Sequence, residues 1–295
     1  MRKRNNNFNV YLTMLKEQKS TFTLLLSKNS QSITINEKKN FFSERKLNYR
    51  IFGISKNIKN ETKDFISVNT KFRDRKDRGT IRYYHYNIIP NKLKRFYYID
   101  ISSCYISILR QKKIISKELF DKINALPKKD RLISLGMLAH EPYKIEFIEG
   151  VQQVPTRVIN EYAPVFYTAC YYTQQLMEKI IKLINGDFIF YWVDGIFFKD
   201  IAHYNLVKDY LKTNKFKFSF GSCYNLESKL TDNYYDISFM QKDKNKLEFK
   251  DYSIPIYFQD REENKQANEL LINGNFDKLH EHFKRINNKL KDNNN

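Results

Sequence analysis

The sequence predicts an α+β fold in which a largely antiparallel sheet is covered by helices on one face. The apolar run DFIFYWVDGIFFKD (187–200) is interrupted only by Asp194 and Gly195, which indicates a β-hairpin with Asp194 at its tip. The segment 164–186 carries apolar residues at helical spacing and ends at Asn-Gly, a strong helix stop. Strands and helices follow one another in blocks rather than in strict alternation, which is typical of α+β proteins.

The elements before the long helix are predicted from the spacing of their apolar residues and from the turn residues between them. Residues 1–20 are polar and predict an arm or a short helix, and two short strands are expected within 21–35. Residues 36–80 are charged and weakly patterned. The run 80–90 and RFYYIDISS (95–103) predict strands, and CYISILRQKK, which follows, predicts a helix. Two short helices are expected over 115–141.

The segments after the hairpin complete the order. A helix is expected at 204–214, a strand at 215–222 and a second hairpin at 234–255. From this order we expect three regions. They are a basic N-terminal region (1–79), a central domain (80–258) and a charged helical segment with a polar tail (259–295).

The charge balance favours a polyanionic partner. Of 295 residues, 52 are Lys or Arg and 33 are Asp or Glu, which gives a formal net charge of +19. Nucleic acid is the commonest partner of so basic a chain, and a solvated surface shaped by biased composition is the alternative.

The cysteines and the apolar runs indicate the cellular compartment of the protein. Cys104, Cys170 and Cys223 are far apart, so neither a zinc site nor a disulfide framework is indicated. The chain has no apolar run that could span a membrane and no secretory signal. We expect a soluble, cytoplasmic protein with reduced thiols.

Two acids stand within apolar strands. Asp100 interrupts FYYIDISS, and Asp194 interrupts the hairpin run. A buried carboxylate is costly unless it is paired or binds a metal, and two carboxylates on neighbouring strands can hold Mg²⁺ for phosphoryl transfer. In the alternative, Asp100 caps a helix that begins at Ser102 or Ser103, and Asp194 makes an Asp-Gly turn. Spacing alone leaves both interpretations open.

The residues around these acids resemble a known family. DISSCYIS (100–107) is similar to motif A of family B DNA polymerases, Asp-x-x-Ser-Leu-Tyr-Pro-Ser, and FYWVDGIFF (190–198) is similar to motif C. The resemblance covers about 80–255 and implies a polymerase palm with very short fingers, at about 111–136. It includes no exonuclease domain, and it is most like the small, divergent polymerases of viruses and mobile elements.

The resemblance implies a role for each matched residue. Asp100 and Asp194 would be catalytic and would bind Mg²⁺ or Mn²⁺ together with Ile101. The implied nucleotide-binding residues are Ser103, Cys104, Tyr105, Lys128 and Arg131. Two departures weaken the match. Trp192 stands where the family has its first motif C acid. KKDRLISLG (128–136) keeps only Lys128 and Gly136 of motif B, Lys-x-x-x-Asn-Ser-x-Tyr-Gly.

Basic residues outside the motifs are candidates for nucleic-acid contact. They are Arg73, Arg75, Lys76, Arg78 and Arg82, next to the aromatic run YYHY, and Lys242 and Lys244 on the expected turn of the second hairpin. Cations interleaved with aromatic side chains suit phosphates and stacked bases. A solvated loop and a solvated turn are the alternatives.

The function expected from these features is DNA-polymerase-like extension of a nucleic-acid 3′ hydroxyl with nucleoside triphosphates and Mg²⁺. A protein partner would supply polymerase functions that the chain lacks. The second hypothesis is a catalytically degenerate palm that only binds nucleic acid, and the third is a two-metal nuclease. Primer extension, binding without incorporation, and product shortening distinguish the three.

Overall fold

The computed structural model describes residues 3–27, 30–43, 49–69, 71–73, 75–87, 89–231, 234–243 and 246–255. They form helices and two sheets whose strand pairs are all antiparallel, which confirms the predicted α+β class. The helices are α1 (Lys3–Glu17), α2 (Tyr49–Glu61), α3 (Lys63–Val68), α4 (Arg75–Gly79), α5 (Cys104–Gln111), α6 (Lys117–Asn124), α7 (Lys128–Gly136), α8 (Ala163–Ile184) and α9 (His203–Thr213).

The strands are β1 (Phe22–Ser27), β2 (Ser30–Ile35), β3 (Lys38–Ser43), β4 (Tyr84–Tyr86), β5 (Lys92–Ile101), β6 (Tyr143–Ile148), β7 (Val151–Gln152), β8 (Thr156–Arg157), β9 (Phe188–Trp192), β10 (Gly195–Phe198), β11 (Phe218–Leu230), β12 (Tyr234–Asp243) and β13 (Lys246–Pro255). Both predicted hairpins are present, as β9–β10 and β12–β13. The strand β3, the helices α2, α3 and α4, and the strands β6 to β8 were not expected from the sequence.

The chain divides into two compact units, and the first contains Met1–Ile81 with Tyr105–Tyr172. Its sheet has the order β3-β2-β1-β6-β7, with β8 beside β6. Besides this sheet, the first unit has a hydrophobic core in which Ile54 and Ile58 of α2 pack with Ile106 and Leu109 of α5. This shared core explains why residues 105–172 belong with the N-terminal region, whereas the sequence predicted one continuous central domain from residue 80. The expected C-terminal segment, 259–295, lies outside the described residues.

The second unit contains Arg82–Cys104 and the described residues from Thr173 onward. Its sheet has the order β13-β12-β11-β5-β10-β9-β4. Tyr86 of β4 lies 5.1 Å from Tyr235 of β12, ring centre to ring centre, although these strands are near opposite ends of that order. The sheet therefore curls, and its concave face, here called the inner face, carries the aromatic cluster of Phe96, Tyr98, Phe190, Phe197 and Phe239.

Helices of the second unit lie on the other face of this sheet, the outer face. Tyr204 of α9 packs against Phe220 of β11 with ring centres 4.0 Å apart. The Gln174 side chain of α8 accepts a hydrogen bond from the Arg82 amide, at 2.8 Å. Among the described residues, no helix combines the length and the apolar character needed to cross a membrane.

Candidate metal and nucleotide site

Asp100 and Asp194 meet in the second unit, although they are far apart in the sequence. Asp100 lies in β5, between β10 and β11, where it pairs with Gly195 on one side and Ser219 on the other. Asp194 directly precedes Gly195, and its carbonyl accepts a hydrogen bond from the Ile101 amide at 3.0 Å. The strand pairing thus brings the two acids that the sequence singled out to neighbouring positions.

Five strands contribute one residue each to a single row across the sheet. Gly195 pairs with Trp192, and Trp192 pairs with Tyr84. Directly paired residues of antiparallel strands point to the same face. The row is Ser219, Asp100, Gly195, Trp192 and Tyr84, and we call it the site row.

The turn next to Asp194 is strained. Its two central residues are Val193 and Asp194, and Val193 has a φ of 57°. Positive φ at the first central position of a two-residue turn normally requires glycine, and it is costly for a β-branched residue. Gly195, in contrast, lies within β10. Asp194 is therefore at the tip of the hairpin, as predicted, but its turn partner is Val193 and not Gly195.

The capping interpretation of Asp100 is wrong. The helix α5 begins at Cys104, and Asp100 lies within β5, with strand partners on both sides. The residue before the helix is Ser103, which has a φ of 54°. An N-cap immediately precedes the first helical residue, so Asp100 stands too early in the chain to fill that position.

Tyr252 of the last described strand lies within electrostatic range of both carboxylates. Burial raises the pKa of the Tyr252 phenol above its usual value, and electrostatic interactions with Cys223, Asp100 and Asp194 raise it further. Burial also raises the pKa of the Cys223 thiol. The phenol therefore stays protonated at neutral pH and offers an O–H donor near the two acids.

Gly195 leaves space above the site row. A Cβ atom at this position would lie 3.6 Å from Oδ1 of Asp100 and 3.6 Å from the Trp192 carbonyl oxygen. A larger side chain would extend over the Asp100 carboxylate. Glycine thus keeps the Asp100 oxygen accessible from the hairpin.

Aromatic rings border the acids on the hairpin side. The rings of Trp192 and Tyr84 are stacked with centres 5.4 Å apart, and Tyr252 lies 5.7 Å from Trp192. Trp192, Tyr84 and Tyr252 are all half-buried, as are Asp100 and Asp194. The site thus lies where the inner aromatic cluster reaches solvent.

The residues present fit Mg²⁺ or Mn²⁺. Asp100 and Asp194 would supply carboxylate oxygens, and the Ile101 main chain adjoins both. Magnesium is usually bound by one or two carboxylates, with substrate phosphates and water completing its ligands. The described part of the chain contains no cluster of three or more His, Cys, Asp or Glu side chains that could hold a metal alone. The fit is thus to a metal that arrives with a phosphate ligand.

The nucleotide-binding candidates fall into both units. In the second, Ser103 is half-buried, and the buried Cys104 has its Sγ 3.6 Å from the Thr173 hydroxyl. In the first, the Tyr105 ring packs edge-on against Phe166, at 5.8 Å between ring centres. Lys128 is exposed at the first position of α7.

Arg131 is engaged elsewhere. Its guanidinium donates to the carbonyl oxygens of Asn124 at 3.2 Å and Leu126 at 3.0 Å, at the end of α6. These bonds satisfy carbonyls that a helix C-terminus leaves without a helical partner. One guanidinium nitrogen of Arg131 thus serves the helix end, and a role of Arg131 in holding phosphate stays a prediction.

Arg78 likewise differs from the exposed cation that the sequence predicted. It is buried, forms an ion pair with Glu141 at 2.5 Å, and donates to the carbonyls of Phe72 and Arg73. The Tyr167 ring lies 4.9 Å from its guanidinium carbon. Because a buried charge needs this many partners, Arg78 holds the loop in place and is not available to nucleic acid.

The other predicted nucleic-acid residues are dispersed. Arg73 is exposed and donates to the Ile66 carbonyl, and Arg82 belongs to the second unit, where it is half-buried. Lys242 is exposed on β12. Arg75 and Lys76 lie on α4, but their side chains, like Lys244, are outside the described residues.

Tyr252, Tyr84 and Ser219 are site residues that sequence reasoning missed. Ser219 and Tyr84 are identified only by strand pairing, and Tyr252 only by the curl of the sheet. In comparisons with known proteins, no protein-family model matches this chain, and no curated protein matches it.

Proposed function

We propose that this protein is a metal-dependent nucleotidyltransferase that extends a nucleic-acid 3′ hydroxyl with nucleoside triphosphates, in the manner of a DNA polymerase. One observation carries the proposal. Asp100 in β5 adjoins Asp194 in the strained turn between β9 and β10, and both acids are half-buried. Strain that persists next to half-buried acids is a feature of functional sites.

The residues of the candidate site would have different roles. Asp100 and Asp194 would hold the metal, with the Ile101 main chain beside them. When bound, Mg²⁺ supplies positive charge that neutralises the reacting phosphate and orients the oxygens. The protonated Tyr252 phenol would donate a hydrogen bond to a phosphate or sugar oxygen. Ser103 and Cys104, just after β5, would offer main-chain donors to the triphosphate.

The charge of the chain supports a nucleic-acid substrate. A net charge of +19 attracts a polyanion over long range and raises its local concentration. The resemblance to family B polymerases favours DNA, with a protein partner supplying the functions of the domains that those enzymes add. The three buried cysteines form no disulfide, which supports the proposed cytoplasmic location.

Primer extension tests this function directly. Purified protein is incubated with a labelled primer, with and without template, in Mg²⁺ or Mn²⁺ and in separate deoxy- and ribonucleotide pools. Because metal stabilisation is worth several kcal/mol, Asp100→Asn and Asp194→Asn should each reduce extension at least about 100-fold. Asp209→Asn, at an exposed acid of α9, is the matched control. Undiminished extension in either site variant would contradict the assignment.

A second candidate is supported by one feature of the site row. Trp192 stands where the resembling family has its first motif C acid, and it is stacked on Tyr84 instead of facing a metal as a ligand. A protein that binds nucleic acid on this scaffold without catalysis would retain affinity and incorporate nothing under any metal or nucleotide condition. Shortening of the labelled strand would instead indicate a two-metal nuclease that uses the same two acids.

A further inference from the structure

The outer face of the second unit carries a row of side chains that spans four strands. Arg95 pairs with Tyr224, Tyr224 with Met240, and Met240 with Phe249. In the row beside it, Lys242 pairs with Leu247. Together these six residues form what we call the hairpin patch: Arg95, Tyr224, Met240, Lys242, Leu247 and Phe249. It lies opposite the inner aromatic cluster, because strand neighbours such as Phe96 and Phe239 point inward.

The patch exposes apolar surface that a folded chain normally hides. Phe249 is 65% exposed and Leu247 is 54% exposed, and Tyr224 and Met240 are half-buried beside them. A cavity of about 460 Å³ opens at this point and is lined by Tyr224, Asn225, Met240, Lys242, Lys246 and Leu247. Adjoining exposed apolar side chains rimmed by polar groups are a feature of interaction sites.

A backbone irregularity shapes the cavity. The pairing of β11 with β12 shifts between Tyr224 and Glu227, and Asn225 has a φ of 54°. A bulge of this kind changes the direction of nearby side chains and is over-represented at functional surfaces. Here it sets Tyr224 beside Arg95, whose guanidinium carbon lies 5.9 Å from the Tyr224 ring centre and 5.2 Å from that of Tyr97.

The charges of the patch indicate which kind of partner it binds. None of the six cavity-lining residues is acidic, and Lys242 and Arg95 both present exposed cations. Lys246 is bound to Glu248 at 2.5 Å and is not counted among them. The acids Glu227 and Asp251 belong to the next row, beyond Phe249, so the positive end of the patch faces the β12–β13 turn. Cations flanking exposed rings suit a phosphate backbone with unpaired bases.

We infer that the hairpin patch binds single-stranded nucleic acid, with bases stacked on Phe249 and Tyr224 and phosphates held by Lys242 and Arg95. A duplex keeps its bases stacked within the helix and cannot offer them to an exposed ring. The surface is on the opposite sheet face from Asp100 and Asp194. It therefore goes beyond the proposed catalysis and does not depend on it.

Fluorescence anisotropy of a labelled oligothymidylate of about 20 nucleotides tests the inference with the full chain in EDTA. Phe249→Ala should weaken binding about fivefold or more, because stacking on one ring is worth at least about 1 kcal/mol per base, and the salt dependence should be unchanged. Lys242→Gln should weaken binding and lower the slope of log affinity against log salt by about 0.7, the value for one phosphate contact on a single strand.

Matched controls separate this patch from general basicity. Phe52→Ala removes a partly exposed ring of the first unit, 42% exposed, and Lys215→Gln removes an exposed cation after α9. Both controls should bind as the wild type does. Equal affinity of wild type and Phe249→Ala for the oligonucleotide would overturn the inference. The inference would also be overturned if binding to a blunt duplex depended on Phe249 to the same degree. A third contradicting outcome is a wild-type dimer that Phe249→Ala converts to a monomer with no change in affinity for the oligonucleotide.

The same measurement keeps this inference distinct from the proposed function. Asp194→Asn should bind the oligothymidylate normally and extend the primer at least about 100-fold less, which would support both proposals. A wild-type protein that extends the primer but does not bind the oligothymidylate would overturn the inference about the patch alone. If the wild type binds the oligothymidylate and Asp194→Asn still extends the primer normally, only the metal-site assignment is overturned.

Discussion

The Ile101 amide donates a hydrogen bond to the Asp194 carbonyl, with 3.0 Å between nitrogen and oxygen. This bond joins the end of β5 to the tip of the β9–β10 hairpin. It continues the pairing of Asp100 with Gly195 by one residue, so the acids of two separate segments share a fixed main-chain geometry. A rigid main chain beneath both carboxylates is what a metal site of defined geometry needs.

Metal binding should be visible in the fluorescence of the single tryptophan. Trp192 is in the site row with Asp100, and paramagnetic Mn²⁺ quenches a nearby indole. Titration with Mn²⁺ and a nucleoside triphosphate should quench emission, and EDTA should restore it. Asp100→Asn and Asp194→Asn should each shift the midpoint at least about tenfold. Quenching that is identical in both variants and in the Asp209→Asn control would contradict metal binding by these acids.

Relief of the strained turn should stabilise the protein. Val193 holds a φ of 57°, which asparagine tolerates much better than valine. Val193→Asn should therefore raise the free energy of unfolding by about 1 kcal/mol, measured by urea denaturation. Val154→Asn, at a valine 84% exposed and without positive φ, should change it by less than about 0.5 kcal/mol. A destabilised Val193→Asn variant would show that valine packing outweighs the strain.

A single methyl group at Gly195 should affect metal affinity more than stability. The new Cβ would lie 3.6 Å from Oδ1 of Asp100, an ordinary contact distance, so the fold should accept Gly195→Ala within about 0.5 kcal/mol. The methyl would displace water from the carboxylate and weaken Mn²⁺ binding up to about tenfold. Thermal unfolding and the Trp192 titration measure the two effects in one preparation. Equal metal affinity would show that the space above Gly195 is not used.

Removal of Arg78 should be strongly destabilising. The side chains of Arg78 and Glu141 are only 7% and 10% exposed, so Arg78→Ala leaves a buried carboxylate without its cation. The expected loss is about 3–5 kcal/mol in urea unfolding. The double variant Arg78→Met with Glu141→Leu should recover most of that loss, since it removes both charges. A loss below about 1 kcal/mol in the single variant would show that the pair is solvated.

His85 should make stability fall in mild acid. Burial and then the positive charge of Arg82 lower the pKa of His85 below its usual 6.5, although Glu178 opposes the shift. The unfolded chain therefore takes up this proton at a higher pH than the folded chain does. The free energy of unfolding should decline as pH falls below 6.5, with a slope of at most about 1.4 kcal/mol per pH unit from this group.

The histidine can be isolated by substitution. His85→Gln should flatten the decline in a series of urea titrations between about pH 5 and 7.5, because glutamine binds no proton there. His140→Gln, at an exposed histidine of the first unit, is the control. An unchanged slope in His85→Gln would mean that other groups cause the acid sensitivity.

The elements that the sequence predicted well are those whose pattern is local. The β9–β10 hairpin and α8 follow from a continuous apolar run and from helical spacing that ends at Asn185, whose φ of 53° is the expected helix stop. The helix α2 was missed because its charged residues obscured the stripe of Ile51, Ile54 and Ile58, although that stripe has helical spacing.

The parts that could not be predicted depend on tertiary packing. Asp100 and Asp194 stood out because each interrupts an apolar strand, but nothing local connects Tyr252 to them. The basic cluster offered no signal that Arg78, rather than Arg73, is buried, since both lie in the same charged run. The assignment of residues 105–172 to the first unit likewise rests on a core shared between distant segments.

The curl of the sheet has a consequence for how the protein comes into being on the ribosome. Tyr84 and Trp192 emerge early, whereas Tyr252, which packs on Trp192, belongs to the last described strand. Contacts between such distant positions form slowly, because a long loop must close before they stabilise anything. A nascent chain would thus carry both acids while the ring that borders them is still missing. The aromatic surround of the two acids is completed only once β13 has been made, and a chain cut short before β13 would carry both acids without Tyr252.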